Sequence, residues 1–296
     1  MFLKKIVEFL GLGKAGKRIG LGRSSEVYEY GADKILKLYL KEHPYDIVKW
    51  EYDKLSDAKN HNVPVPAVYE LIEYNGRFGI VMERIYGESL WGIMTEHIVK
   101  MGGENRISNG VSDLITDSIK RTAHALYSVH SVKADLMDSS HAIYTRAVHY
   151  NKHITDNEKR TVLNILDSLP KSTAVCHGDP NPGNILISVD KTAFIDWMFV
   201  GTGNPMYDIA EYIITTRYLY LNPTEINPRI IKFMGKYSEE MINIFFTEYT
   251  SISGLEITDT DKWLIPLLVN RLNGGGSDEY KQRLLTDVRE KICLYS

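Results

Sequence analysis

The sequence contains little cysteine, no long hydrophobic run and almost no net charge. Its two cysteines, Cys176 and Cys293, are too few for a disulfide scaffold and suit a reducing compartment. No apolar run approaches the roughly 20 residues of a transmembrane helix. Glu8 interrupts the apolar N-terminal stretch, and no small-residue cleavage site follows it. A net charge of -3 argues against nucleic acid as the main partner. We therefore expect a cytoplasmic protein that binds neither a membrane nor nucleic acid, and nothing here indicates an oligomeric state.

The first third of the sequence predicts an antiparallel sheet. Three short β-rich segments occur before residue 40, and a helix opens at Pro44. Two further β-rich runs flank Asn75-Gly76, which is a strong hairpin-turn signal. Together these segments predict a five-stranded antiparallel sheet with one helix inserted after the third strand.

The remainder of the sequence has mainly helical periodicity. Amphipathic helices are predicted over residues 111–132 and 155–169, and residues 174–196 form a short β-rich interruption. The fold class we expect is α+β with two lobes. Residues 1–86 form the N-lobe, in which 1–16 are an N-terminal helix and connector, and 87–296 form a helical C-lobe.

One glycine-rich run, GLGKAGKRIGLGRSSEV, fits three phosphate-binding patterns. Its first part, Gly11–Gly16, fits the dinucleotide pattern GxGxxG, but that pattern needs a strand before it and a helix after it. The same part nearly fits a P-loop, but Arg18 stands where Ser or Thr is required. The second part, Gly20–Val27, fits the start of a kinase glycine-rich loop and has a β-rich run on each side.

The motif that indicates a reaction most specifically lies in the β-rich interruption at residues 174–196. His177-Gly178-Asp179 is followed after five residues by Asn184, and Asp196 lies twelve residues further on, at the end of an apolar run. Phosphoryl transfer needs a carboxylate near the attacking hydroxyl, and oxygen ligands that hold Mg²⁺ on the phosphates. Asp179 supplies the carboxylate, and Asn184 and Asp196 supply hard oxygen ligands of the type that Mg²⁺ prefers. Turn formation would also use these residue types, but it does not explain their order and spacing.

The motifs HGDxxxxN, IDW and GxGNPxxDIA resemble those of the aminoglycoside phosphotransferase and choline kinase-like family, which has a protein-kinase-like fold. The resemblance covers residues 17–290. It implies that Asp179 is the catalytic base, that Asn184 and Asp196 are metal ligands, and that His177 holds the loop. It also implies that Asp208 braces the catalytic loop, although Asp208 could instead be a favourable charge at a helix N-terminus.

The same resemblance assigns nucleotide-binding residues in the N-lobe. Lys37, on the third strand and ten residues beyond Val27, matches the lysine that contacts the α- and β-phosphates. Glu51 in the next helix would pair with Lys37, with Glu42 and Asp53 as nearby alternatives. The remaining assignments are the phosphate loop, at Gly20, Gly22, Ser24 and Ser25, and main-chain groups that read the base, at Glu83 and Ile85.

Several features bear on the phosphate acceptor. Only eleven residues separate Asp196 from Asp208, too few for the activation segment of a protein kinase, which favours a small-molecule hydroxyl. Residues 237–261 contain six carboxylates and no Lys or Arg. They would attract a cationic acceptor, or they are simply the solvated face of helices. Trp197 and Trp263 could form an aromatic wall for a quaternary ammonium group, or Trp263 could belong to the core.

The sequence therefore predicts a phosphotransferase that uses ATP (GTP is also possible) and Mg²⁺. It would move the γ-phosphate to a hydroxyl of a small molecule, such as an aminoglycoside or another amine-bearing alcohol. The alternatives are a choline/ethanolamine or sugar kinase of the same family, or a non-catalytic nucleotide-binding pseudokinase. The complete set of Lys37, Asp179, Asn184 and Asp196 argues against the pseudokinase.

Overall fold

The computed structural model describes residues 15–22, 24–100, 110–218 and 226–295. The chain divides into two compact units, Met1–Tyr86 and Gly87–Ser296. The helix and connector expected in residues 1–16 lie, apart from Ala15 and Gly16, outside the described residues. Among the described helices, none has the length and apolar character needed to cross a bilayer.

The first unit contains the five-stranded sheet that the sequence predicts. Every neighbouring pair of strands is antiparallel, in the spatial order β1-β2-β3-β5-β4. One helix, α1, connects β3 to β4 and packs on β4 and β5. The bounds are β1 Arg18–Leu21, β2 Ser25–Glu29, β3 Lys34–Tyr39, α1 Tyr45–Asn60, β4 Val68–Tyr74 and β5 Arg77–Glu83.

Local sequence explains the centre of this sheet. Asn75 and Gly76 both have positive φ, 53° and 73°, which is the geometry of a tight hairpin turn and one that Asn and Gly tolerate best. In β3, alternate side chains point to opposite faces. Leu36 and Leu38 are therefore buried together with Val81 of β5 on one face, which leaves Lys37 and Tyr39 on the other.

The second unit is mainly helical. Helices α3 (Asp113–His130) and α7 (Pro228–Ser253) pack together, and α8 (Thr260–Leu272) packs on both α6 (Met206–Tyr218) and α9 (Asp278–Ile292). Asn227, Ser277 and Thr155 cap helices by accepting hydrogen bonds from main-chain N–H groups, and Thr155 forms a full capping box with Glu158. The bounds are α2 Leu90–Lys100, α3 Asp113–His130, α4 Ser140–Tyr150, α5 Asp156–Ser168, α6 Met206–Tyr218, α7 Pro228–Ser253, α8 Thr260–Leu272 and α9 Asp278–Ile292.

Short strands in this unit position the motif residues. One sheet has the order β6-β8-β9, and β7 pairs antiparallel with β10. The HGD motif follows β7 directly, and the Pro182–Asn184 3₁₀ turn leads into β8. The bounds are β6 Glu88–Ser89, β7 Ala174–Cys176, β8 Ile185–Ile187, β9 Thr192–Phe194 and β10 Gly201–Gly203. The α+β, protein-kinase-like fold class is confirmed.

Candidate active site

In the first unit, Lys37 and Glu51 form the ion pair that the sequence predicts. Lys37 Nζ lies 2.7 Å from Glu51 Oε1, and both side chains are buried. Tyr39, on the same face of β3 as Lys37, donates its hydroxyl to Glu51 Oε2. The alternative partners are at the surface, where Asp53 pairs with Lys49 and Glu42 is exposed. Glu51 therefore accepts from two β3 side chains, which fix its carboxylate and with it the position of the Lys37 ammonium.

The glycine loop is a tight connection between β1 and β2. Gly20 lies within β1, and Gly22 N donates to Ser25 O at 2.8 Å to close the turn. Ser25 is buried at the start of β2, and Ser24 is half-buried. The Ser24 carbonyl accepts from Leu40 N at 2.9 Å, which ties the loop to the end of β3.

Glu83 and Ile85 lie at and beyond the end of β5. The main-chain N–H of Glu83 donates to Ala67 O at 2.8 Å, and its side chain accepts from Ala67 N at 3.0 Å. Both the main-chain N–H and the side chain of Glu83 are therefore engaged by Ala67, within the first unit.

In the second unit, Asp208 braces the loop that carries the HGD motif. It lies in the first turn of α6 and is fully buried. Its Oδ2 accepts from His177 N at 2.6 Å, and its Oδ1 accepts from Gly178 N at 2.7 Å. Gly178 has φ 84°, and a Cβ there would lie 2.5 Å from Phe199 Cβ and from Phe199 O. Only glycine fits this position without displacing Phe199.

The ring of His177 is engaged on both sides by main chain. Its Nδ1 accepts from Asp179 N at 3.1 Å, so Nε2 carries the proton and donates to Ile195 O at 3.1 Å. Burial lowers the pKa of His177, although Asp208 and Asp179 act in the opposite direction. A neutral ring tied at both nitrogens links the HGD loop to the residue before Asp196.

Asn184 and Asp196 are brought together by the β8–β9 hairpin. Asn184 directly precedes β8, Asp196 follows β9, and Ile195 N donates to Asn184 O at 2.8 Å. The Asn184 side-chain amide donates from Nδ2 to both Asp179 O and Asp179 Oδ2 at 3.0 Å. Both of these contacts are made by the Nδ2 atom of Asn184 and neither is made by its Oδ1 atom. Asp196 is exposed and has φ 61°. An amide oxygen and an exposed carboxylate are a donor set that suits Mg²⁺.

The family follows from a comparison with known families. Residues 15–225 match the phosphotransferase enzyme family, APH. The chain belongs to this family. No curated protein sequence matches the chain significantly.

Solved structures related to this phosphotransferase share its fold at low sequence identity. Choline kinase LicA from Streptococcus pneumoniae is 14% identical with a TM-score of 0.57, over 99% of this chain and 98% of that one. A thermostable mutant of aminoglycoside phosphotransferase APH(4)-Ia, in a ternary complex with ADP and hygromycin B, is 11% identical with a TM-score of 0.61, over 98% and 97%. Amicoumacin kinase hAmiN, in complex with AMP-PNP, Ca²⁺ and Ami, is 14% identical with a TM-score of 0.56, over 98% and 93%.

Arg271 of this phosphotransferase approaches Asp179 and pairs with Glu211, and the sequence did not indicate either residue. Arg271 of α8 places Nη2 3.7 Å from Asp179 Oδ1. The same Nη2 donates to Glu211 of α6, and to Thr215 Oγ1 at 2.9 Å. Burial raises the pKa of Glu211 to about 7, although Arg271 acts in the opposite direction. Burial also tends to lower the pKa of Arg271, but Glu211 and Asp179 outweigh it and raise that pKa. Arg271 therefore stabilises the ionised form of Glu211, but burial destabilises that form by more, and the pKa of Glu211 stays raised.

A buried cluster of His130, Cys176 and Asp208 consists of residue types that bind metals, with ligand atoms within 4.8 Å of one another. Hydrogen bonds already use these atoms. His130 Nε2 donates to Asp208 Oδ2 at 3.0 Å, its Nδ1 lies 2.6 Å from Tyr249 OH, and Cys176 Sγ donates to Asn204 O at 3.3 Å. Burial raises the pKa of the Cys176 thiol well above its usual value, which disfavours the thiolate that a metal needs. The cluster extends the Asp208 brace.

The acidic segment at residues 237–261 is largely paired within the protein. Five of its six carboxylates contact a basic side chain or a main-chain N–H: Glu239 with Arg217, Glu240 with Val111 N, Glu248 with Lys120 and His124, Asp259 with Lys262, and Asp261 with Lys291. Trp197 and Trp263 are both buried, and Trp197 donates to Phe194 O at 2.9 Å. Both tryptophans therefore belong to the core, which is the alternative that the sequence left open for Trp263.

Proposed function

We propose that this protein transfers the γ-phosphoryl group of ATP or GTP, with Mg²⁺, to a hydroxyl group of a small molecule. The observation that carries the proposal is the arrangement of Asp179, Asn184 and Asp196 around one braced loop. Asn184 Nδ2 donates to Asp179 Oδ2 at 3.0 Å, and the main-chain N–H of the residue before Asp196 donates to the Asn184 carbonyl. Membership of the phosphotransferase enzyme family supports the same reaction.

Asp179 would act as the base for the acceptor hydroxyl. Its side chain is one-quarter exposed, and Asn184 holds the carboxylate through Oδ2. A hydroxyl that donates to this carboxylate would be oriented towards the phosphate and would lose its proton to Asp179 as the phosphoryl group transfers. The Asp208 brace and the neutral His177 ring keep the Asp179 main chain in place.

Asn184 and Asp196 would hold the metal ion through oxygen atoms. Bound Mg²⁺ supplies positive charge that offsets the charge developing on the phosphate oxygens. Lys37, positioned by Glu51 and Tyr39, would contact the α- and β-phosphates. The phosphate loop, at Gly20, Gly22, Ser24 and Ser25, would contact phosphate oxygens. Main-chain groups of Glu83 and Ile85 would recognise the base.

The acceptor we propose is an amine-bearing alcohol, with aminoglycosides first among the compounds to test. The support is the fold shared with a choline kinase, with an aminoglycoside phosphotransferase in complex with hygromycin B, and with an amicoumacin kinase. Choline, ethanolamine and sugars are the next compounds of the panel.

The test is an ADP- or GDP-release screen with Mg²⁺, ATP or GTP, and a panel of aminoglycosides, choline, amino-alcohols, sugars and nucleosides. We expect acceptor-dependent nucleotide turnover. In Asp179→Asn, turnover should fall by about 10²- to 10⁴-fold while nucleotide affinity stays the same. The control is Asp190→Asn, which changes an exposed carboxylate in the turn between β8 and β9. Full turnover in Asp179→Asn would remove Asp179 from the reaction. Nucleotide binding without turnover across the panel would instead favour the pseudokinase.

A further inference from the structure

We propose that Arg271 positions the catalytic carboxylate of Asp179, and that Glu211 in turn holds Arg271. The inference rests on the proposed function of Asp179 as the base. Arg271 and Glu211 lie on α8 and α6, outside the HGD and IDW motifs. They would make orientation of the base depend on two helices of the second unit as well as on the motif loop.

The two oxygens of Asp179 have different surroundings. Oδ2 accepts from Asn184 Nδ2 at 3.0 Å. Oδ1 is buried and has no hydrogen-bond partner within the described part of the chain, but Arg271 Nη2 lies 3.7 Å away. A buried carboxylate oxygen next to a guanidinium is stabilised by that charge. With Asn184 on one side and Arg271 on the other, rotation of the carboxylate about the Cβ–Cγ bond is disfavoured.

Arg271 is itself held firmly enough to serve this purpose. Its Nη2 donates to Glu211 and to Thr215 Oγ1, two residues spaced four apart on α6. Glu211 is 3% exposed. A planar guanidinium fixed by a buried carboxylate presents its charge in a defined direction, unlike a flexible surface side chain.

Helix α6 connects this arrangement to the brace. Asp208 and Glu211 are three residues apart, on adjacent turns of α6. Asp208 holds the main chain of the HGD loop, and Glu211 holds the arginine that faces the Asp179 side chain. One rigid helix thus fixes both the backbone and the carboxylate of the proposed base.

The first experiment compares Arg271→Gln with Arg217→Gln. Arg217 is a matched control, because it also pairs with a glutamate and its side chain is 32% exposed, against 29% for Arg271. The assay uses the acceptor with the fastest turnover in the screen, or water as the acceptor. We expect kcat of Arg271→Gln to fall about 100-fold, since misplacing a catalytic group by about 1 Å costs this much. The nucleotide KM should be unchanged. Arg271→Lys should recover part of kcat, and Arg217→Gln should match the wild type.

The second experiment tests whether Arg271 acts through Asp179. In an Asp179→Asn background there is no carboxylate left to position, so Arg271→Gln should lower kcat by less than 3-fold there, against about 100-fold in the wild type. An equal loss in both backgrounds would show that Arg271 acts independently of the base, and would overturn the inference.

A double variant distinguishes a loss of kcat from a loss of folding. Arg271→Gln alone leaves Glu211 buried without its cation, which can destabilise the protein. The double variant Glu211→Gln/Arg271→Gln replaces the ion pair with two neutral amides and should fold while keeping the kcat loss. Wild-type kcat in this folded double variant would overturn the inference. The role of Asp179 as the base is tested separately, by the single variant Asp179→Asn. Full turnover in that variant would contradict the proposed function, whatever the Arg271 variants show.

Discussion

The carboxylate of Asp208 accepts hydrogen bonds from the main-chain N–H groups of both His177 and Gly178, at 2.6 and 2.7 Å. Burial alone would raise the pKa of Asp208, but the hydrogen bonds from His130 and from the Gly178 main chain help to outweigh burial and lower it. The brace is therefore an ionised carboxylate with three donors. In Asp208→Asn, one amide N–H₂ group must face a donor, so one or more of these bonds is lost.

We expect Asp208→Asn to lower the free energy of unfolding by about 3 kcal/mol, since a buried, charge-assisted hydrogen-bond network is broken. It should also lower kcat by about 100-fold, since the HGD loop shifts. Urea unfolding and ADP release measure the two effects, and Asp190→Asn is the exposed control. A loss of less than about 1 kcal/mol, with kcat unchanged, would mean that Asp208 is only a favourable charge at the start of α6.

Gly178 offers a test of the loop that leaves every side-chain hydrogen bond in place. Gly178→Ala introduces a Cβ 2.5 Å from Phe199 Cβ at φ 84°, whereas Gly254→Ala introduces one at φ 68° with no atom within 4 Å. Both variants pay about 1–2 kcal/mol for the left-handed conformation. Gly178→Ala should lose about 2 kcal/mol more, because of the overlap with Phe199. Denaturant unfolding measures the difference, and equal losses would contradict the close packing at Gly178.

Much of the fold could be predicted because its signals are local. Strand alternation around Lys37, the Asn75-Gly76 turn and the helix that begins after Pro44 depend on neighbours in the sequence, and they determine the five-stranded sheet. The spacing of His177, Asp179, Asn184 and Asp196 is also local, since one loop and one hairpin join them.

The parts of the site that were not predicted depend on distant contacts. Arg271 lies 60 residues from Glu211 in sequence, and His130 lies 78 residues from Asp208. The sequence around an arginine or a histidine on an amphipathic helix does not indicate which distant residue that side chain will contact. Only Tyr39 had a signal in the sequence, because the period of two in β3 places it on the same face as Lys37. The sequence left two readings of the acidic segment open for the same reason, because the pairing of its carboxylates with basic residues elsewhere in the chain was not visible.

Tyr39→Phe should weaken nucleotide binding without unfolding the protein. The substitution removes the hydroxyl that donates to Glu51 Oε2, so the carboxylate that positions Lys37 becomes less constrained. A hydrogen bond to a charged group contributes about 1.5–3 kcal/mol. The lost hydrogen bond affects nucleotide binding only indirectly, through the position of Lys37. We therefore expect only part of this free energy to be lost from binding, so that the Kd of the magnesium nucleotide rises about 3- to 10-fold.

Calorimetric titration with a non-hydrolysable ATP analogue measures the Kd, and Tyr69→Phe, on the exposed β4 strand of the same sheet, is the control. If Tyr39→Phe and Tyr69→Phe bind the nucleotide equally well, the hydroxyl contributes nothing to the position of Lys37.

Titration of Glu211 should make the protein less stable as the pH rises from 4.5 to about 7. Burial raises the pKa of Glu211 from 4.5 to about 7, so between these values the folded protein keeps a proton that the unfolded chain releases. The stability contributed by protonated Glu211 is therefore complete below pH 4.5 and is lost as the pH rises towards 7. The loss amounts to about 3 kcal/mol. Glu211→Gln does not titrate, so the unfolding free energy of the wild type minus that of this variant should fall by this amount across the range.

The control for this prediction is Glu239→Gln. Glu239 pairs with Arg217 at the surface, and that hydrogen bond lowers its pKa below 4.5 against the effect of burial. Its contribution to stability is therefore lost only as the pH falls through this lowered pKa, and the difference between the wild type and Glu239→Gln should be flat from pH 4.5 to 7.5. Urea unfolding at intervals across the range measures both differences. A flat difference for Glu211→Gln as well would mean that Arg271 keeps Glu211 ionised throughout, so that attraction within the pair outweighs the cost of burying its carboxylate.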